Sequence, residues 1–214
     1  RLHWRSHFIQ KLEDQPSIEH TSFIPVYDQI REKDEEKLEA WIEGKTGVHF
    51  IDACMIYLRD YGWINFRMRA MLASFASYNL WLDWRYFAPR LAALFTDFEP
   101  GIHYSQIQMQ SGTTGINTIR MYNPYKQAMD QDPLGKFIKS QIPEVKNFPP
   151  AFFHNPPKKS LNVNLFDNEF QKEIINVKET AQYARKKIFD IRKSQEHKIL
   201  AKNVYLKHGS RGRN

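Results

Sequence analysis

Residues 65–82, NFRMRAMLASFASYNLWL, are apolar or small on nearly every face of a helical wheel. A helix of that kind is stable only where other elements surround it, so the chain has to build a body around this segment. Two arginines, Arg67 and Arg69, lie inside it. A guanidinium in a low-dielectric interior costs several kcal/mol unless it is paired, so the segment calls for an acidic partner from elsewhere. Asp97 and Glu99 are the acids placed to return to it, spaced so that both can face one bound group. A fixed structural ion pair is the alternative, and composition leaves both readings open.

The flanking segments also read as helices. Lys33 to Ile42 is charged on one side, carries Leu38, Trp41 and Ile42 at helical spacing, and stops at Gly44. The apolar run from Phe50 ends at Gly62, a natural C-terminal stop before the central helix. From Phe98 to Pro124 the chain turns rich in Gly, Gln, Thr and Asn and loses helical periodicity, which predicts a long, ordered, functional loop. A short helix is expected around Gly135 to Ser140, and FPPAFFHNPPKK reads as a proline-broken linker. One more helix is expected from Asn176 to about Lys198, with Tyr183, Ala184, Ile188 and Ile191 turned inward. Without strand-like alternation or an internal repeat, the fold class is all-α with long ordered loops.

A chain of 214 residues, 42% hydrophobic and 14% aromatic, can bury one substantial core. It begins at Arg1 without an initiator Met or a signal-peptide pattern, which reads as a soluble piece of a longer protein. The single cysteine, Cys54, rules out an internal disulfide framework and points to a reducing, cytoplasmic setting. The net charge of +7 is concentrated after Lys158, in a segment with 14 basic and 6 acidic residues, so pI alone says little about the rest of the chain. KHGSRGRN at the end reads as a solvated terminus or a phosphate-contacting arm. The sequence contains no P-loop, no GxSxG, no HExxH and no paired Cys motif, and so gives no support to nucleotide hydrolysis, serine esterase or zinc hydrolase chemistry. His3 and His7 form half of a metal site at most, and no metal is expected.

Four stretches, RLHWRSHFIQKL, AWIEGKTGVHFIDACM, GWINFRMRAMLASFASYNLWLDW and RMYNPYKQ, occur in an order and spacing that resembles the C-terminal FAD-binding domain of the photolyase and cryptochrome family. NVKETAQYARKKI is a weaker echo near the end. The resemblance implies a multi-helical FAD-binding domain over residues 1–156, a basic extension with one helix over 157–214, and an antenna-type domain preceding the chain. It implies that Arg69 pairs with Asp97 beside the flavin, and that Trp4, Arg5, Phe66, Arg67, Met68, Phe98, Glu99 and His103 also contribute to the cofactor site. Trp4, Arg5, Phe66, Arg67 and Gln127 fall on positions expected to meet DNA carrying a pyrimidine lesion, Trp4 by stacking on an extruded base. Trp84 falls on the middle member of the family's electron-hopping tryptophans, and His103 on the residue near flavin N5, where an ungapped match would place Gly101.

Departures accompany these matches. Arg1 stands where the best-known repair class has a glutamate, Phe66 where it has an asparagine and Ala70 where it has a methionine. Ile107 and Arg31 occupy the flavin-proximal and surface electron-transfer positions, which leaves Trp81, Tyr78 or Tyr104 as substitutes. The resemblance therefore implies a light-driven lyase that splits pyrimidine dimers with an electron from reduced FAD. A cryptochrome-like photoreceptor acting through a protein partner and a flavin-free helical interaction module are the other two readings.

Overall fold

The computed structural model describes residues 2–155 and 172–209. Among these residues every named element is a helix, and an isolated parallel bridge between Glu32 and Leu82 is the one β contact. The helices are α1 (Leu2–Asp14), α2 (Glu35–Ile42), α3 (His49–Tyr61), α4 (Phe66–Ser74), α5 (Trp84–Ala92), α6 (Pro100–Ser111), α7 (Pro124–Gln131), α8 (Lys136–Gln141), α9 (Ala151–His154), α10 (Val177–Lys193) and α11 (Gln195–His208).

Their limits follow from local chemistry. Asp34 caps α2 by accepting from Lys37 N, and Asn65 caps α4 by accepting from Met68 N. Gly62 ends α3 in the left-handed region, at φ 68°. The central helix does not stop at Ser74. It continues through a π-helical turn, Phe75–Asn79, that closes with Leu80 N donating to Phe75 O. This turn brings Tyr78 and Asn79 against the C-terminal helices, where Asn79 Nδ2 donates to Val177 O and Thr180 Oγ1.

Two hydrophobic clusters result. The larger surrounds α3 and α4 and includes Trp41, Ile51, Met55, Met71, Phe75, Trp84 and Phe87. The smaller joins Ile18, Phe23, Ile24, Tyr27 and Tyr78 to Ala184, Ile188 and Val204 from α10 and α11. Burying these apolar surfaces at roughly 25 cal/mol per Å² provides the main driving force for holding short helices together.

Four expectations need correction. The stretch from Phe98 to Pro124 is not one long loop, because its first half is α6, with Glu99 as N-cap, Pro100 in the first turn and Gly112 closing it at φ 71°. The final helix is two, broken at Ser194, whose extended backbone (ψ 148°) ends α10 while its hydroxyl accepts from His197 N to start α11. Tyr183, expected to face inward, is 49% exposed, whereas Ala184 and Ile188 are fully buried as expected. The first half of the linker-like FPPAFFHNPPKK is also ordered: α9 inserts Phe153 beneath Gly135. Residues 156–171 lie outside the described residues.

Candidate functional site

A cavity of about 320 Å³ opens between α4, the end of α5 and α6, within the size range of small-molecule sites. Two helices present it with the same spacing. From α4 come Phe66, Arg69, Ala70 and Ala73, and from α6 come His103, Gln106, Ile107 and Gln110. Each set runs i, i+3, i+4, i+7, which is one face of a helix. The two alanines leave room on the α4 side, and Leu91 and Phe95 add an apolar wall.

Arg69 is the charged element of this wall. Its Nη2 lies 2.9 Å from Asp97 Oδ2, its Nε donates to Ile64 O at 2.7 Å, and its guanidinium carbon sits 4.2 Å from the Phe95 ring centre. Asp97 is positioned by its neighbour: Thr96 donates both its N–H and its hydroxyl to the Gly62 carbonyl, tying this loop to the α3–α4 turn. The pair is half open to solvent, with side chains 26% and 48% exposed.

His103 faces the same cavity, and its Nε2 lies 2.9 Å from the Ala88 carbonyl oxygen. A carbonyl only accepts, so Nε2 carries the hydrogen and Nδ1 is left as an acceptor. Burial lowers the imidazole pKa to about 4; the carbonyl bond opposes this shift, and the Arg69 charge adds to it. The ring is therefore neutral at ordinary pH. Gln106 Oε1 is a second acceptor on this face, buried and without a partner. The sequence reading missed Gln106 and Gln110 because it took their segment for a loop. Once α6 is read as a helix, they fall on the His103 face by spacing alone.

A model described as the FAD binding domain of DNA photolyase matches residues 1–197. The chain belongs to that family. The deoxyribodipyrimidine photo-lyase of Escherichia coli is 32% identical over 163 residues, which are 73% of this chain and 34% of that protein. The enzyme of the same name from Vibrio cholerae is 36% identical over 127 residues, 58% of this chain and 27% of that one. A cryptochrome DASH from Gloeobacter violaceus is 32% identical over 127 residues, covering 59% and 25%. Among solved structures, an archaeal photolyase from Sulfolobus tokodaii, described with two FAD molecules, superposes with a TM-score of 0.79 at 32% identity, covering 88% of this chain and 43% of that one. The chain thus spans about a quarter to a third of the curated relatives it matches.

Within this photolyase FAD-binding fold, the residues matched to the family's site separate into two groups. Arg69, Phe66, Asp97, Phe98, Glu99 and His103 all line the cavity. Glu99 also caps α6, with its carboxylate accepting from Gly101 N and Ile102 N, so it is not free to act beside Asp97 as the spacing suggested. Arg67 is exposed and outside the cavity lining, because residues two apart do not share a helix face. The expectation that both arginines are buried is therefore corrected. Met68 is 5% exposed and belongs to the hydrophobic core rather than the cavity lining.

The remaining positions lie further out or further in. Trp4 is 59% exposed on α1, with its ring 5.9 Å from those of His7 and Phe8, and Arg5 is exposed beside it. Gln127 is buried on α7, and its Oε1 has no partner. Trp84 is 2% exposed, donates Nε1 to Ser22 Oγ and lies 6.4 Å, edge to face, from Tyr104. Tyr104 in turn lies 6.4 Å from cavity-lining Phe98. Ile107 faces the cavity, whereas Arg31, matched to a surface position, is only 7% exposed.

The donor set suits a flavin. An apolar slot walled by Phe95, Leu91, Ile107 and two alanines fits a flat ring system, while one cation and two acceptor atoms, His103 Nδ1 and Gln106 Oε1, fit its polar edge.

Proposed function

We propose that this chain forms the flavin-holding, DNA-facing part of a light-driven lyase that splits pyrimidine dimers. The observation that carries this reading is the pairing of Arg69 with Asp97 on the wall of a largely apolar cavity. FAD, when bound there and reduced, supplies an electron to the lesion in light. The work of the protein is to bind and orient. Arg69, Asp97, His103 and Gln106 hold the polar edge, with the hydrogen of His103 kept on Nε2 by Ala88 O. Phe66, 61% exposed, stands on the cavity lining, and Trp4, 59% exposed on α1, offers a second open ring; both suit stacking on an extruded base. Arg5 and Arg67, both exposed, suit the phosphate backbone.

A second reading, a cryptochrome-like photoreceptor without repair activity, is favoured by Phe66 and Ala70 in the cavity wall, where the best-known repair class has other residues. One experiment separates the two. The protein is reconstituted with FAD, its absorbance recorded, and a dimer-containing oligonucleotide illuminated with it. Flavin absorbance with restored thymines supports the lyase, flavin absorbance with an unchanged oligonucleotide supports the photoreceptor, and a colourless protein defeats both. Within the lyase reading, Trp4→Ala weakens binding to lesion-containing DNA by about 1–3 kcal/mol if the ring stacks on a base.

A further inference from the structure

The smaller core contains a group of polar atoms that the cavity does not use. Arg31 is 7% exposed, donating Nε to Ser77 O at 3.0 Å and Nη2 to Ser111 O at 2.7 Å. Its guanidinium carbon lies 4.9 Å from the Trp81 ring centre and 5.6 Å from that of Tyr78. Its Nη1 is buried without a partner, as are the hydroxyls of Ser77, Ser111 and Tyr78. The residues that carry them meet around Arg31. Arg31 holds the carbonyls of both serines, and the Tyr78 hydroxyl lies so close to Gly112, next to Ser111, that a Cβ there would come within 2.5 Å of it. From α10, Arg192 binds Asn117 O through Nη2 and leaves Nε buried and unpartnered.

The charge balance is as telling as the donor count. Both acceptors of Arg31 are neutral carbonyls. Asp83, the acid whose charge acts on it, has both oxygens engaged by Arg85. Tyr27 and His197 face the same region but bond to each other at 2.8 Å. Guanidinium N–H groups only donate, and a buried cation without a counter-charge is costly. A water molecule can satisfy the donors but leaves the charge unbalanced, whereas a compact anion meets both needs.

We propose that Arg31 Nη1, the Tyr78 hydroxyl and the hydroxyls of Ser77 and Ser111 form a binding site for a small monovalent anion of halide type. The four side chains that form it are 0–7% exposed, which selects a compact ion over a polyatomic oxyanion. The anion balances Arg31 where the π-helical turn meets the end of α6, beside the Trp81 ring that packs on Tyr183 of α10, and so helps to secure the C-terminal pair to the body. This site is independent of the flavin reading.

The test is thermal unfolding of the chain in chloride-free sodium gluconate, with sodium chloride or bromide substituted at constant ionic strength. A melting temperature that rises and saturates with either halide, together with a flat response in Arg31→Met, supports the site. A wild-type protein indifferent to both halides overturns it. Crystals grown in bromide decide the matter without relying on any variant to fold. An anomalous peak within hydrogen-bonding distance of Arg31 Nη1 supports the proposal, and water alone at that position overturns it.

Discussion

Arg69 and Arg31 have the same side chain in opposite surroundings. Arg69 is half open, bonded to a carboxylate and set on the wall of a cavity. Arg31 is sealed between the π-helical turn and the end of α6 and is bonded to neutral carbonyls. The comparison separates two uses of charge. An exposed ion pair contributes little to stability, about 0–1 kcal/mol, because water screens it; under the proposed flavin reading its value lies in what it presents to a ligand. A buried guanidinium contributes through carbonyls that would otherwise lack a donor, and its removal leaves them unpaired at about 1–3 kcal/mol each.

The strongest way to break this contrast is Arg31→Ala. With Ser77 O and Ser111 O left unpaired and space opened beside Trp81, the chain should lose about 2–4 kcal/mol. Denaturant unfolding reads this directly, and a loss near zero would mean that Arg31 is dispensable to the smaller core. Next in size is Gly101→Ala. A Cβ at that position would lie 2.7 Å from Ile9 Cα, so α1 and α6 approach as closely as glycine permits. Overpacking there should cost about 1–3 kcal/mol and show as faster amide exchange in α1, the helix that carries Trp4.

Sequence carried the large helices and missed those without a stripe. In α3 and the central helix, the apolar runs and Gly62 marked the elements, and the structure agrees. Helix α6 was read as loop because its polar residues are buried too. Gln108 is fully buried and spans three backbone partners, donating to Ile18 O and Thr21 O and accepting from Phe23 N. A helix that uses its polar side chains to anchor neighbouring chain segments shows no amphipathic pattern. The Arg69–Asp97 pair was legible through family resemblance, whereas the separation of Arg67 from Arg69 was already implied by their spacing of two. The buried polar group around Arg31 left no sequence signal, since it assembles from four distant segments.

A pH titration sharpens the contrast on the cavity side. Folding holds His103 at a pKa of about 4, below its ordinary 6.5. Between those values the unfolded chain binds a proton at this site that the folded chain does not, so the His103 contribution to stability rises with pH there and falls as pH drops from 6.5 toward 4; Asp52, raised to about 7 by burial, acts in the opposite sense. His49, pushed to about 4 by burial, acts in the same direction as His103. His103→Gln should reduce the slope of unfolding free energy against pH by up to about one proton in this window. An unchanged slope would show that the ring titrates normally and is not buried in the cavity wall.

The smallest effect on stability should come from Asp97→Asn. The substitution keeps the side chain's shape and removes its charge from a pair that is 26% and 48% exposed, so unfolding should shift by less than about 1 kcal/mol. FAD retention should fall all the same, because the guanidinium loses the carboxylate that fixes its direction on the cavity wall while Ile64 O holds only Nε. A stability loss comparable to that of Arg31→Ala would make the pair a structural clamp and end its assignment to the ligand. An unchanged fold with unchanged FAD retention would leave the positioning to Ile64 O and the Phe95 ring. Only the split outcome, near-normal unfolding with weakened flavin binding, fits a charge pair that serves the cavity rather than the core.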